Sequence, residues 1–319
     1  MYPEIHYRKG EDGWILTACH GCDGNILLPD EIDGIPITVI APYAFSSGEE
    51  NPEDLVWSDG EEIFSGEKKR LCEAEVLEVR LPKGIREIGR YAFYRCRNLR
   101  KLTLSDGILE IGGGALNGCR GLREIELHLW NGEKSALKSI VDEVRFEIYA
   151  RIHYHKNEES ISEILFPEHY EEAVENTPAR ILYTSHHGAG GYYRQCFYNR
   201  EVDYKKYDEL LPWAIAGDSV ENVFRLAILR LRFPFRLSDK AKEGYETYVK
   251  EQLREVAAGL VEKEDMETIQ FLNAGSYWDK DALDAGIDAA SEYRKTEILS
   301  VLMDEKKRLF PKKRKTFDL

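Results

Sequence analysis

Residues 76–98 read VLEVRLPKGIREIGRYAFYRCRN, and residues 99–121 read LRKLTLSDGILEIGGGALNGCRG. The two segments align without a gap, and apolar or small residues recur 23 residues apart in pairs such as Val79 and Leu102, Ile88 and Ile111, and Cys96 and Cys119. A unit of this length cannot bury its own apolar side chains, so it must stack on its neighbours. The sequence therefore predicts a solenoid in which like residues form continuous apolar columns.

Each unit has the same predicted local structure. The spacing Leu-x-x-Leu-x-Leu gives a short strand with alternate side chains inward, a glycine (Gly84 or Gly107) turns the chain, and a second apolar pair follows. An earlier unit runs from Asn25 to Phe45, with five extra residues around Asp33. The segment that begins at Leu122 starts the pattern again and then loses it after Leu127.

These units resemble the BspA-like class of bacterial leucine-rich repeats, whose repeat is L-x-x-I-x-(I/L)-P-x-x-(V/I)-x-x-I-G-x-x-A-F-x-x-C-x-x-L. Residues Leu77–Leu99 match this pattern nearly throughout, and the next unit departs from it at Ser105 and Leu116. The resemblance covers roughly residues 1–128. It implies the leucine-rich-repeat fold and recognition of other macromolecules, and it implies no shared catalytic residue.

Residues 46–75 form an acidic insertion in the predicted solenoid. Thirty residues separate Phe45 from Val76, where the regular repeat needs five. Charge runs without apolar spacing seldom pack, so we expect a solvated surface loop. The functional alternative is an acidic contact patch at the edge of the solenoid.

Residues 129–203 are predicted to form a small antiparallel β module. From Val144 to His155 apolar residues alternate with charged and polar ones, as in a half-buried strand. The other predicted strands are Ile161–Phe166, Ala179–Thr184 and Tyr192–Asn199, the last two joined by a glycine-containing turn.

Residues 204–319 are predicted to form a helical repeat domain with a basic tail. Val220–Leu231 has helical periodicity, with Asp218 and Glu221 in capping-box spacing, and Ser238 begins a long helix to about Leu260. Three shorter helices follow over Met266–Leu272, Ala282–Ala290 and Arg294–Leu309. This array of helical hairpins resembles ankyrin repeats, although the Thr-Pro-Leu-His signature is absent. The predicted fold class is α+β.

Composition and charge indicate which partners and which cellular location to expect for this protein. The 319 residues are 43% hydrophobic and carry a formal net charge of −14, nearly all of it within residues 1–203. Such a surface disfavours nucleic acid and anionic membranes as partners. The first 14 residues lack the apolar region of a secretory signal, which predicts a cytoplasmic protein with its six cysteines reduced.

The stretch from His186 to Cys196 is the candidate site in the β module. A glycine-rich link between two strands is a plain hairpin by default. The functional interpretation is that His186, His187, Tyr193 and Arg194 contact a ligand or a partner. Catalysis at these residues is a third interpretation.

Cys19-His20-Gly21-Cys22 could contribute to a metal site, with His6 or Cys72 as a further ligand. Because there is no second C-x-x-C, we favour a turn with two incidental thiols. Cys96 and Cys119 are interpreted as small inward-facing residues and not as a redox pair. The Gly112–Gly114 run follows from the repeat geometry.

The sequence thus favours a non-enzymatic protein-interaction scaffold that uses leucine-rich-repeat and helical-repeat surfaces. No catalytic residue, metal or cofactor is predicted, and the expected partner is another protein. The alternative function is that of an enzyme or small-ligand receptor with its site around residues 186–196.

Overall fold

The structure is a computed structural model. It describes residues 2–48, 51–60, 68–156, 159–176 and 181–311, and within these ranges it does not define the side chains of residues 172–176 and 181–186. The chain divides into two compact units, Met1–Leu210 and Leu211–Leu319.

The N-terminal unit is mostly β-structure. Its strands are β1 (Glu4–Lys9), β2 (Trp14–Gly21), β3 (Asn25–Leu27), β4 (Glu31–Ile32), β5 (Ile35–Ile40), β6 (Leu55–Trp57), β7 (Lys69–Arg70), β8 (Glu78–Arg80), β9 (Glu87–Ile88), β10 (Lys101–Ser105), β11 (Glu124–Leu129), β12 (Ile148–Tyr154), β13 (Ser160–Phe166), β14 (Tyr170–Asn176), β15 (Ile181–His187), β16 (Phe197–Tyr198) and β17 (Glu201–Val202). Its helices are α1 (Leu137–Glu143), α2 (Gly190–Tyr193) and α3 (Tyr204–Glu209).

The predicted stacking of coils is confirmed in a parallel sheet. Strands β3, β8, β10, β11 and β12 lie side by side in that order and form a β-solenoid of about five turns. The register places like residues opposite one another, in the column Ile26, Val79, Leu102, Ile125 and Ala150. All five side chains are buried, and Val79, Leu102 and Ile125 in this column have the 23-residue spacing of the sequence repeat.

A second column runs along the opposite edge of each coil. Ile40 of β5 pairs with Ile88 of β9, and Ile88 forms an isolated bridge to Ile111. Next to it the rings of Phe45 and Phe93 stack at 4.8 Å with an interplanar angle of 4°. Consecutive coils are therefore in contact through both backbone and side chains.

Repeat geometry also explains two of the three glycines at residues 112–114. A Cβ at Gly112 would lie 2.5 Å from the backbone nitrogen of Arg90, so only glycine fits against the previous coil. Gly114 has φ +71°, and the equivalent Tyr91 one coil earlier has φ 56°. The left-handed turn recurs at the same place in each unit. The interpretation of the run as structural is therefore supported at Gly112 and Gly114, whereas a Cβ at Gly113 would meet no atom within 4 Å.

The acidic insertion folds back onto the N-terminal hairpin. β6 pairs antiparallel with β1, and β7 pairs antiparallel with β2. Leu55 and Val56 of β6 are about half exposed, at 50% and 55%. Five of its acidic residues, Glu49, Glu50, Glu61, Glu62 and Glu67, lie outside the described residues. The described part of the insertion therefore contributes edge strands and is more ordered than the loop that we expected.

The solenoid does not end at residue 128, where the sequence pattern fades. β12 pairs parallel with β11 in continuous register, and β13 then pairs antiparallel with β12 and closes the sheet. Helix α1, with Leu137, Ile140 and Val141 buried, takes the place of the usual turns between two coils. The boundary that we predicted after residue 128 thus falls inside one sheet, because a helix replaces the repeat pattern without interrupting the stacking.

The segment after β13 differs in part from the predicted module. β14 and β15 form an antiparallel hairpin, but the strand predicted over Tyr192–Asn199 is helix α2 followed by the short β16. The boundary predicted at residue 204 also shifts, because α3 packs back on the N-terminal unit. Its Tyr207 hydroxyl donates to the Leu165 carbonyl at 2.6 Å and accepts from the Leu165 N–H at 3.1 Å.

The C-terminal unit is helical. Its helices are α4 (Leu211–Gly217), α5 (Val220–Arg232), α6 (Asp239–Glu262), α7 (Met266–Ala274), α8 (Lys280–Glu292) and α9 (Thr296–Leu309). The predicted cap of α6 is confirmed, since the Ser238 side chain accepts from the Ala241 N–H. The cap of α5 is Ser219 and not Asp218, because the Ser219 hydroxyl accepts from the Asn222 N–H. Throughout the described part of the chain, no helix has the length and apolarity needed to cross a membrane.

The buried cysteines form part of the solenoid core. The Cys96 thiol donates to the Phe45 carbonyl at 3.2 Å, and the Cys119 thiol donates to the Phe93 carbonyl at 3.1 Å. Burial raises the pKa of Cys96 and raises the pKa of Cys119 to about 12. Each thiol thus ties one coil to the preceding one, which agrees with the interpretation of these cysteines as inward-facing.

We expect alkylation to separate these thiols. In the native protein at pH 8, iodoacetamide should modify the exposed Cys22 readily and leave Cys96 and Cys119 unmodified, since a thiol must be both accessible and ionised to react. All three should react after unfolding in urea. Peptide mapping by mass spectrometry measures the modification, and modification of Cys96 or Cys119 at the rate of Cys22 in the native state would contradict the described packing.

Candidate functional site

The solvent-facing side of the parallel sheet carries a cluster of four polar residues, Glu126, His128, His153 and His155, which we call the histidine cluster. Glu126 and His128 belong to β11, whose alternate residues point inward into the core. His153 of β12 lies directly opposite His128 in the register, and His155 follows β12 on the same face. Strand alternation and the parallel register together bring the four side chains into one place.

The rings of this cluster stack closely. The His128 and His153 rings are 4.5 Å apart with an interplanar angle of 11°. His128 Nδ1 is 3.1 Å from His155 Nε2, and His153 Nε2 is 3.1 Å from Glu126 Oε1. Desolvation, followed by repulsion from His153, lowers the pKa of His128 to about 4. The His128 imidazole is therefore neutral at neutral pH.

A lysine orients the carboxylate of the cluster. Lys101 Nζ is 2.9 Å from Glu126 Oε2 and 2.7 Å from Glu124 Oε1. Partial burial by itself would raise the pKa of Glu126, but the hydrogen bond and charge of Lys101 outweigh it, and the pKa falls below its ordinary value. The carboxylate stays ionised and is held with Oε1 toward the histidines.

Trp130 extends this surface. Its ring stacks on His155 at 3.7 Å with an interplanar angle of 7°, and Lys83 Nζ lies 3.7 Å from the indole ring centroid. The Asp106 carboxylate fixes the loop by accepting backbone N–H groups of Trp130, Asn131 and Gly132 at 3.0, 2.5 and 3.1 Å. The indole remains 38% exposed. The result is an aromatic side chain that is held rigidly and still open to solvent.

The residues predicted as contacts in the 186–196 segment are not brought together at the surface. His187 is exposed beside the Tyr170 ring at 5.2 Å, whereas the side chain of His186 lies outside the described residues. Tyr193 is fully buried, with its ring 4.7 Å from that of Tyr207. Arg194 is buried as well, with 2% exposure. Burial of Tyr193 and Arg194 leaves them unavailable to a partner, so their predicted role as contact residues is wrong.

Arg194 instead joins three chain segments. Its guanidinium donates to the carbonyl groups of Val141, Val144, Arg145, Phe146, Pro167 and Gly190, with distances of 2.9 Å to Val141 and 2.7 Å to Phe146. Several of these carbonyls end helix α1, where the helix dipole favours a cation. Burial lowers the pKa of Arg194 to about 10, so the group remains charged at neutral pH.

The Cys19–Cys22 segment does not assemble a thiolate site. Cys19 is buried on β2, where burial raises its pKa, whereas Cys22 is exposed after the end of the strand. The ring of the intervening His20 lies 4.4 Å from that of His6 at an interplanar angle of 35°, and His6 Nε2 is 3.7 Å from Glu4 Oε1. The segment thus contributes His20 to a second group of a glutamate and two histidines, and its thiols point elsewhere.

Sequence reasoning missed the histidine cluster, although it had placed His153 and His155 on the polar face of a strand. The cluster depends on His128, which the predicted boundary had put in another domain. A signal was present in the sequence: EIELHL at 124–129 and YARIHY at 149–154 have the same alternation with a histidine at the fifth position. Aligning these two segments as consecutive coils would have placed His128 beside His153.

The comparison with known protein families agrees with the solenoid. Residues 67–168 match the family described as BspA type leucine rich repeat region (6 copies). The match extends past residue 128 through β12 and β13. A crystal structure of a T. pallidum leucine rich repeat protein has 26% sequence identity, covers 42% of this chain and 55% of that one, and gives a TM-score of 0.29. The chain thus spans about half the length of that protein. No curated protein matches this chain significantly.

Proposed function

We propose that this chain, whose N-terminal unit contains a solenoid of BspA-type leucine-rich repeats, is a non-enzymatic interaction protein that binds a protein partner. The supporting observation is Trp130, an exposed indole held between Lys83 and His155 and beside the histidine cluster. Rigid, partly exposed tryptophans surrounded by polar groups are enriched among the residues that dominate protein interfaces. Leucine-rich-repeat proteins commonly take part in protein–protein interactions.

The proposed contact surface is the solvent face of β10, β11 and β12 together with Trp130. Its charges are mixed, because Lys83 and Lys101 lie among Glu124 and Glu126. A surface of this kind suits a protein with both acidic and basic groups better than a nucleic acid or an anionic membrane. A cytoplasmic location remains a prediction.

A photo-crosslinker tests this proposal on the full chain. A photoreactive phenylalanine analogue at the exposed Asn131, which leaves the neighbouring Trp130 in place, should give a protein adduct in cells. The same analogue at Tyr198, which is 78% exposed in the same unit, should not give that adduct. Equal adducts from both positions, or no adduct from position 131, would contradict the proposed surface.

The identified partner then permits an affinity measurement. We expect Trp130→Ala to weaken binding at least about 30-fold, because a central tryptophan typically contributes about 2 kcal/mol or more at an interface. The matched control Tyr198→Ala should bind as the wild type does. Calorimetry with purified partner measures both, and an unchanged affinity in Trp130→Ala counts against the proposal.

A further inference from the structure

Glu126, His128 and His153 place three potential metal-ligand atoms close together on the solenoid surface. Glu126 Oε1 lies 3.1 Å from His153 Nε2 and 3.9 Å from His128 Nε2, and all three ligand atoms lie within 4.8 Å of one another. Ligands bound to zinc at about 2.0–2.2 Å lie roughly 3–3.5 Å apart, so small side-chain rotations complete the geometry. The three side chains are about one-fifth exposed, so an ion there is reachable from solvent.

Hydrogen bonds to His128 and Glu126 orient these two residues as the second shell of a metal site does. His128 uses Nε2 toward Glu126, and its Nδ1 is 3.1 Å from His155 Nε2. With His128 Nε2 on a metal, the Nδ1–H donates to His155, which is the arrangement that fixes the tautomer of a metal-binding histidine. His155 then carries its own proton on Nδ1, a buried atom without a hydrogen-bond partner that lies 3.9 Å from Glu159 Oε1.

The carboxylate is oriented in the same way. Glu126 Oε2 accepts from Lys101, which leaves Oε1 directed at the two histidines. The charge of Lys101 is shared with Glu124 at 2.7 Å, so this lysine does not leave an uncompensated cation beside the ligands. Two imidazoles and one carboxylate are a ligand set that suits zinc and its neighbours in the first transition series.

We propose that Glu126, His128 and His153 bind one divalent transition-metal ion of the zinc type, with His155 and Lys101 as positioning residues. Three protein ligands leave at least one coordination position for water or for a side chain of a bound protein. The proposal rests on these residues alone and is independent of the proposed partner binding.

Cobalt titration of the full, untagged chain tests the site, because Co²⁺ replaces Zn²⁺ and its absorption reports inner-sphere coordination. The titration is made in a His6→Gln, His20→Gln background, which removes the second glutamate–histidine group. We expect one equivalent to bind with a visible absorption band and to be displaced by Zn²⁺. Absence of a band up to millimolar Co²⁺ would overturn the proposal.

Single substitutions in that background assign the ligands. His128→Gln and His153→Gln should each weaken cobalt binding at least about 100-fold, as expected for the loss of a direct ligand. His155→Gln should weaken it about 10- to 100-fold, as expected for loss of a second-shell partner. The exposed His187→Gln is the matched control and should bind as the parent does. Parent-like titrations of both His128→Gln and His153→Gln would rule out this site.

X-ray absorption on the zinc-loaded His6→Gln, His20→Gln protein identifies the ligand atoms directly, and it does not depend on the folding of the single-substitution variants. Two imidazoles and oxygen ligands are expected in the first shell. A shell with sulfur ligands, or with oxygen alone, would contradict the assignment.

Discussion

Replacing Phe93 with alanine should lower the free energy of unfolding of the N-terminal unit by about 3–5 kcal/mol, the usual effect of removing a phenyl ring from a packed core. The ring is fully buried and stacks on Phe45 at 4.8 Å. The surrounding backbone is fixed as well, because the Phe93 N–H donates to the Ala115 carbonyl at 2.9 Å. The cavity therefore opens between coils that cannot easily close around it.

Urea-dependent hydrogen exchange, followed by mass spectrometry on peptides from residues 99–129, measures this loss within the N-terminal unit alone. Tyr198→Ala is the matched control, since Tyr198 is 78% exposed and its removal should change stability by no more than about 0.5 kcal/mol. Similar small effects of both substitutions would mean that Phe93 is not between stacked coils.

Replacing Arg194 with methionine should destabilise the same unit by at least about 4 kcal/mol. The substitution keeps much of the side-chain volume but leaves several buried carbonyl groups without a donor, and each such group costs about 1–3 kcal/mol. Arg194→Lys should recover only part of the loss, because an ammonium group has three donors and lacks the planar fork of arginine.

Arg145→Met is the control for this experiment. Arg145 is largely exposed, and its guanidinium is 3.0 Å from Glu171, so its removal should cost less than about 1 kcal/mol. Hydrogen exchange on peptides from residues 137–170 reads both variants. If Arg194→Met kept wild-type stability and lost only partner binding, Arg194 would be a contact residue and would not hold the three chain segments together.

The repeat period predicted the solenoid because the same side chains that recur in the sequence are those that stack in the core. The 23-residue spacing requires that Ile88 and Leu102 are buried in the core, and both side chains are buried. Helix α6 was equally predictable, since Ser238 caps it and apolar spacing continues to its end. Local signals and long-range packing agree at these positions.

The end of the solenoid was not predictable from the period, because helix α1 replaces the turns that define a repeat. Stacking continues there because β11 pairs with β12. In the sequence this pairing shows only as alternating apolar and polar residues, without the 23-residue spacing. The Tyr192–Asn199 strand was wrong for a related reason. The residues that are buried there, Tyr193 and Cys196, are three apart, which is the spacing of a helical turn. The alternating aromatic residues of this segment instead favoured a strand.

The histidine cluster follows from the same continuation of the sheet. Its residues come from two strands whose first paired positions, Glu124 and Tyr149, are 25 residues apart. No motif in either strand alone indicates the cluster. Stacking converts two ordinary strands into one polar surface. Both the proposed partner surface and the proposed metal site therefore depend on the coils lying in register.

Disulfide formation between adjacent coils tests that register most directly. In a Cys22→Ser, Cys72→Ser background, cysteine is placed at pairs of sheet positions, and mild oxidation with diamide is followed by peptide mapping. Adjacent strands lie about 4.8 Å apart, within the range of a disulfide, and strands two steps apart lie about 10 Å apart, outside it. The register predicts disulfides for Glu78→Cys with Lys101→Cys and for Lys101→Cys with Glu124→Cys, and none for Glu78→Cys with Glu124→Cys. A disulfide in the last pair, or in neither adjacent pair, would contradict the stacked solenoid.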